Sequence, residues 1–166
     1  GKLDYDESGR KTLAAYVDGR IEKLYADYAG VKVTEKDTLA VLYSPKLYSA
    51  QVELLIALRA KEKSQGGTLS RVAAVNENLE QSARQRLTEL GMTKNQIDAI
   101  EQNGRADSRL ALLAPTSGTV VKKGVVEGQY VSEGDTIYEL ADLSSVWLML
   151  ELFPEDAALV RYGVRV

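Results

Sequence analysis

Apolar positions recur at two different periods along the chain, and the change of period divides it. From Pro45 to about Ser64, Leu47, Ala50, Leu54, Leu55 and Leu58 share one stripe of a helix. Ser44 can cap that helix, and Pro45 at its first position has no donor to leave unpaired. Gln65-Gly66-Gly67-Thr68 breaks it. A second helix is predicted from Leu69 or Ser70 to Leu90, with Val72, Val75, Leu79, Ala83, Leu87 and Leu90 at steps of three or four and Gly91 as its stop. A short third helix follows, with Thr93 as cap, Gln96 three residues on, and Met92 able to reach Ile97 as a hydrophobic staple. Asn103-Gly104 ends it. At roughly 1.5 Å per residue the two longer helices make an arm about 30 Å long.

On either side of the arm the period drops to two, and the flanks repeat each other. Gly19-Arg20-Ile21-Glu22-Lys23 aligns with Gly118-Thr119-Val120-Val121-Lys122. The stretch Gly30 to Leu39 aligns with Gly128 to Ile137, bringing Asp37 onto Asp135. Each copy is a set of short β segments between turn residues, too small to close a core alone. The two are therefore expected to pair into one flattened barrel or sandwich, with the arm extruded between them. Lys2 to Ala15 reads as one or two strands and Val146 to Leu152 as another. A short helix from Pro154 to Tyr162 and the start of a further strand at Val164 are expected beyond it. The expected division is 1–15 with 144–166 as a partial β-barrel domain, 16–43 with 111–143 as the two-half domain, and 44–110 as the helical hairpin.

Composition narrows the chemistry. The chain has 166 residues, 45% of them hydrophobic and 27% charged, with a formal net charge of −3. That balance is globular and lacks the basic surplus of a nucleic-acid binder, so no nucleic-acid partner is expected. With no Cys and no His, disulfides, Cys/His zinc sites and histidine-based catalytic triads are excluded. Met92 and Met149 read as packing residues. Asp4-x-Asp6-x-Ser8-Gly9 opens like a calcium loop, but its twelfth position is Ala15 where a bidentate Glu is needed. Glu151, Glu155 and Asp156 lack a partner base, and the last two suit a helix N-terminus. Arg59, Glu62, Arg84, Arg86 and Glu89 read as a solvated face. No catalytic, cofactor-binding or metal-ligating residue is assigned, and no enzyme is expected.

The paired pattern Gly-x-(Ile/Val) then Gly-x-x-Val-x-x-x-Asp-x-(Leu/Ile), carried by Gly19, Gly30, Asp37, Gly118, Gly128 and Asp135, resembles the half-motifs of biotinyl/lipoyl domains. In those carriers a tight hairpin presents the modified lysine. Here the joint is the arm, and the nearest lysine, Lys46, falls in a helical turn. A lipoyl-like β-sandwich barrel split by a helical hairpin resembles instead the periplasmic adaptors, or membrane fusion proteins, of tripartite efflux pumps. Leu42-Tyr43-Ser44-Pro45-Lys46-Leu47, Leu87-x-x-Leu90-Gly91-Met92-Thr93-x-x-Gln96-Ile97, Gly128-Gln129-Tyr130-Val131 and Ala141-Asp142-Leu143-Ser144-Ser145-Val146-Trp147 are similar to the heavy-metal subgroup, in particular to copper/silver efflux adaptors.

The resemblance implies an elongated mixed α and β protein of the Gram-negative periplasm, held at the inner membrane through parts outside this chain. It implies a pump of the resistance-nodulation-division (RND) type and an outer-membrane channel as partners, with self-association as a hexamer or trimer of dimers. The implied cargo is copper and silver, or zinc, cobalt or nickel. Drug-efflux or secretion adaptors share the architecture, and a biotin or lipoate carrier is the remaining alternative. Gln65, Gly66, Gly67, Thr68, Leu69 and Ser70 form the candidate partner-contacting tip. Motion about the Ser44 and Leu110 junctions is the expected way to transmit a pumping cycle.

Overall fold

The two glycine-punctuated flanks fold through one another. The computed structural model describes residues 2–5, 9–64, 70–144 and 146–149. Its strands are β1 (Lys2–Tyr5), β2 (Arg10–Ala14), β3 (Gly19–Leu24), β4 (Lys32–Val33), β5 (Thr38–Tyr43), β6 (Arg109–Leu113), β7 (Gly118–Lys123), β8 (Tyr130–Val131), β9 (Thr136–Ala141) and β10 (Val146–Met149). Its helices are α1 (Pro45–Ser64), α2 (Ser70–Glu89) and α3 (Lys94–Asn103).

Two antiparallel four-stranded sheets run β2-β9-β7-β4 and β6-β5-β3-β8. Each sheet takes strands from both copies of the repeat, and exchanging the copies turns one sheet into the other. The inward positions Ile21, Leu39, Leu42, Val120, Ile137, Tyr138 and Leu140 are at most 1% exposed. Each copy's glycine turn also completes a strand of the other. Gly30 N donates to Val120 O at 2.7 Å, and Gly128 N donates to Ile21 O at 2.7 Å. Neither copy has a core without its twin.

The stretch 1–15, grouped at the sequence level with 144–166, divides in the structure. β1 pairs with β10, from Lys2 opposite Met149 to Tyr5 opposite Val146. Arg10–Ala14, in contrast, is an edge strand of the sandwich against β9. It is the counterpart of β6 in the repeat, and it lacks the turn glycines that made the other strands recognisable. The expected helix at Pro154, the strand at Val164, the carboxylates of Glu151, Glu155 and Asp156, the side chain of Met149, and Asp6 to Ser8 lie outside the described residues.

The arm's boundaries follow its caps. Ser44 Oγ accepts from Leu47 N at 3.4 Å, and α3 carries the full Thr93/Gln96 capping box, ending at Gly104 in the left-handed conformation. α1 buries Leu47, Ala50, Leu54 and Ala57, while Leu55 and Leu58 are partly covered. α2 departs from expectation: Leu87 is buried, but Val75 and Leu79 are 58% and 53% exposed. Its apolar stripe is wider there than the single partner helix can cover.

One turn differs between the copies. Lys36 has φ 72°, where its counterpart Gly134 has φ 92°. A side chain is strained in this region. Lys36→Gly is expected to raise stability by about 0.5–1 kcal/mol, read as a higher urea midpoint at unchanged slope.

Candidate functional site

The half-motif residues all serve the sandwich. A Cβ at Gly19 would stand 2.4 Å from the Tyr43 carbonyl oxygen, and one at Gly118 2.8 Å from that of Ala141, so a bare backbone is required at both crossings. Gly30 and Gly128 sit at φ 102° and 82°. Asp37 and Asp135 close equivalent turns, their carboxylates accepting from Thr34 N at 2.7 Å and Ser132 N at 2.8 Å. The Thr34 amide holds the Asp37 carboxyl below the usual carboxylate range. Lys46 is exposed in the first turn of α1, on a helix and without a presenting hairpin. Of the tip candidates, Ser70 is the first residue of α2, and Gln65 to Leu69 lie outside the described residues.

The arm carries more than a solvated charge pattern. Glu80, whose side chain is 8% exposed, accepts from Lys61 of α1 at 2.6 Å and Arg84 of α2 at 3.2 Å. Arg84 also forms a two-pronged pair with Glu101 of α3, both contacts at 2.6 Å. The chain Lys61–Glu80–Arg84–Glu101 thus ties the three helices together. The Glu80 hydrogen bond raises the Lys61 pKa, and that to Glu101 raises the Arg84 pKa. Arg86 pairs with Glu53 across α1 and α2 at 2.7 Å. Of the charges read as solvated, Arg59, Glu62 and Glu89 are exposed. Arg84 and Arg86 are exposed as well, and they also pair with carboxylates on neighbouring helices. Spacing along one helix shows which charges share a face, whereas these partners lie on neighbouring helices.

Beside the Arg86–Glu53 pair an apolar groove of about 380 Å³ opens between α1 and α2, lined by Ile56, Ala57, Ala60, Leu79 and Ala83. Ile56 is 60% exposed. Met92 is buried, packed with α3 and the sandwich core. Among the described residues no group of three His, Cys, Asp or Glu side chains could hold a metal ion, and no helix is long and apolar enough to cross a membrane.

A duplicated, interlocked sandwich that extrudes a helical arm from between its halves defines a barrel-sandwich hybrid domain with an inserted hairpin. The chain matches the family described as CzcB-like, barrel-sandwich hybrid domain over residues 10–142, and it belongs to that family. It is 26% identical, over a 182-residue alignment covering 98% of this chain and 33% of the relative, to the cobalt-zinc-cadmium resistance protein CzcB of Cupriavidus metallidurans. It is 25% identical, with the same coverage, to the cation efflux system protein CzcB of an Alcaligenes species. The chain spans about a third of the length of these relatives. Among solved structures, ZneB from Cupriavidus metallidurans superposes with TM-score 0.60 at 22% identity, covering 87% of this chain and 65% of that one. A MacA–MexA chimera bearing the Pseudomonas aeruginosa MexA α-hairpin gives TM-score 0.62 at 20% identity, covering 96% and 56%. The periplasmic adaptor protein EmrA gives TM-score 0.52 at 16% identity, covering 97% and 79%. These three share the fold.

Proposed function

We propose that the chain is the sandwich-and-arm part of a periplasmic adaptor in a tripartite RND efflux system, joining an inner-membrane pump to an outer-membrane channel for the export of heavy-metal cations. The observation that carries this reading is the alignment of 98% of the chain with two cation-efflux proteins. The role is mechanical and not enzymatic: the interlocked sandwich is a stiff base, and the arm reaches outward. Metal ions are cargo. The name of the first relative specifies cobalt, zinc and cadmium, which favours divalent ions over copper and silver. Inner-membrane association would come from parts outside this chain.

The test is complementation. A strain lacking the full-length protein should become sensitive to cobalt, zinc or cadmium and recover on re-expression. Unchanged sensitivity to these ions, and to copper and silver, would remove the heavy-metal reading and leave a drug-efflux or secretion cargo.

A second copy is the partner that best suits the arm groove in a hexamer or trimer of dimers. The protruding Ile56 and Leu79 stand beside the small residues Ala57, Ala60 and Ala83, so the patch offers both knobs and holes. Leu79→Glu is expected to weaken self-association at least tenfold by sedimentation velocity, while the exposed Gln81→Glu leaves it unchanged. Equal behaviour of the two variants would release the groove from this role.

A further inference from the structure

Two chain crossings join the arm to the sandwich, and a joint made of two covalent connections alone would swing. Four features at this joint oppose that. First, the β5–β6 pairing runs on into the arm: Ser44, fully buried, donates its N–H to Ser108 O at 2.8 Å, and α1 begins at the very next residue.

Second, Gln51 of α1, 1% exposed, acts as a strand in miniature. Its Nε2 donates to Asp107 O at 2.9 Å and its Oε1 accepts from Asp107 N at 2.7 Å, while Nε2 also lies 3.8 Å from Met92 Sδ. Third, Gln96 of α3 faces both ways. Its Oε1 accepts from Thr93 N at 2.9 Å within the cap, and its Nε2 donates to Ala111 O of β6, an edge strand, at 2.9 Å. Fourth, Tyr16, between β2 and β3, lies over the α2–α3 turn, where a Cβ on Gly91 would stand 2.8 Å from its ring. A single apolar core also runs through the joint, from Leu54 and Leu87 past Met92, Ile97 and Ile100 to Leu110 and Leu112.

We infer that Gln51 and Gln96 are positioning residues that lock the arm to the sandwich, so that both move as one rigid lever and the joint at Ser44 and Leu110 is not a hinge. Swinging the arm would strip the buried Gln51 amide of both of its Asp107 backbone partners, and a buried amide left unpaired carries its full desolvation cost. A graded bend is therefore disfavoured against one fixed angle. Displacement applied at the sandwich reaches the far end of α1 and α2 undiminished. The inference concerns geometry alone and does not depend on the cargo or the pump.

The absence of cysteine makes a direct measurement simple. Spin labels on Lys32→Cys of β4 and Asn78→Cys of α2, both exposed positions, report the lever by pulsed electron-electron dipolar distance measurement. The otherwise unmodified chain is expected to give one narrow distance distribution. Gln51→Leu combined with Gln96→Ala should broaden it at least twofold while helical circular dichroism stays unchanged. A broad or two-peaked distribution before any glutamine is replaced would overturn the inference, without needing the variant to fold. So would a variant that folds and keeps the narrow distribution.

Discussion

Gly19→Ala is expected to cost about 3 kcal/mol of stability, at the upper end of what overpacking a close contact costs. The added carbon would meet the Tyr43 carbonyl oxygen at 2.4 Å and Leu42 Cδ1 at 2.9 Å. The first of these is backbone, so no side chain can rotate aside. Tyr43 is the last residue of β5 and stands next to Ser44, the root of the arm. Gly30→Ala is the natural comparison, because a Cβ there meets nothing within 4 Å and only its φ of 102° is strained. It should cost about 1 kcal/mol. Urea unfolding of both variants decides the matter, and equal losses would show that the crossing at Gly19 relaxes freely.

The second large effect appears at alkaline pH. Tyr138 of β9 is fully buried and donates its hydroxyl to Leu39 O of β5 at 3.2 Å, joining the two copies of the repeat. Burial, with Asp27 and Glu127 adding to it, pushes its pKa from 10.0 up to about 12. Between these values the unfolded chain has lost the proton and the folded chain still holds it. Stability is therefore fully present below about pH 10 and falls as the pH rises towards 12, by about 3 kcal/mol in all. Lys61, whose pKa Glu80 raises, adds loss in the same direction. Tyr138→Phe should flatten most of the alkaline limb in guanidinium titrations at stepped pH. A variant with the same limb as the parent chain would assign the loss to other groups.

How much of this was legible beforehand depended on whether a residue's reason lay nearby. Gly30, Asp37, Gly128 and Asp135 announce their turns because the turn chemistry is local, and the Thr93/Gln96 box and Gly104 announce α3 in the same way. The duplication was visible because both copies need the same punctuation. The exchange of strands between the sheets was not, since alternation marks a buried face without naming its neighbour. For that reason the sequence pattern groups Arg10–Ala14 with Val146 to Leu152, whereas the structure pairs it with β9. Val75 and Leu79 show the same limit on a helix: the stripe is real, and Leu87 and Leu90 are buried, but nothing in the described structure covers its Val75 and Leu79 end. Gln51 was the least legible. A glutamine beside Ala50 on an apolar stripe looks like a polar margin, yet its partner, Asp107, lies 56 residues further on.

The interlocking of the sandwich also dictates an order of assembly. Leu39 and Tyr138 are 99 positions apart, so the first half of the sandwich keeps its apolar face bare until β7 to β9 reach it. The α1–α2 hairpin needs only its own sequence neighbours, and by forming early it draws the waiting strands towards the place where their twins emerge. In pulsed hydrogen exchange during refolding, the amides of Leu54 and Leu87 should be protected before those of Ile21 and Val120. Chains truncated short of β7 would then be the ones most in need of a chaperone.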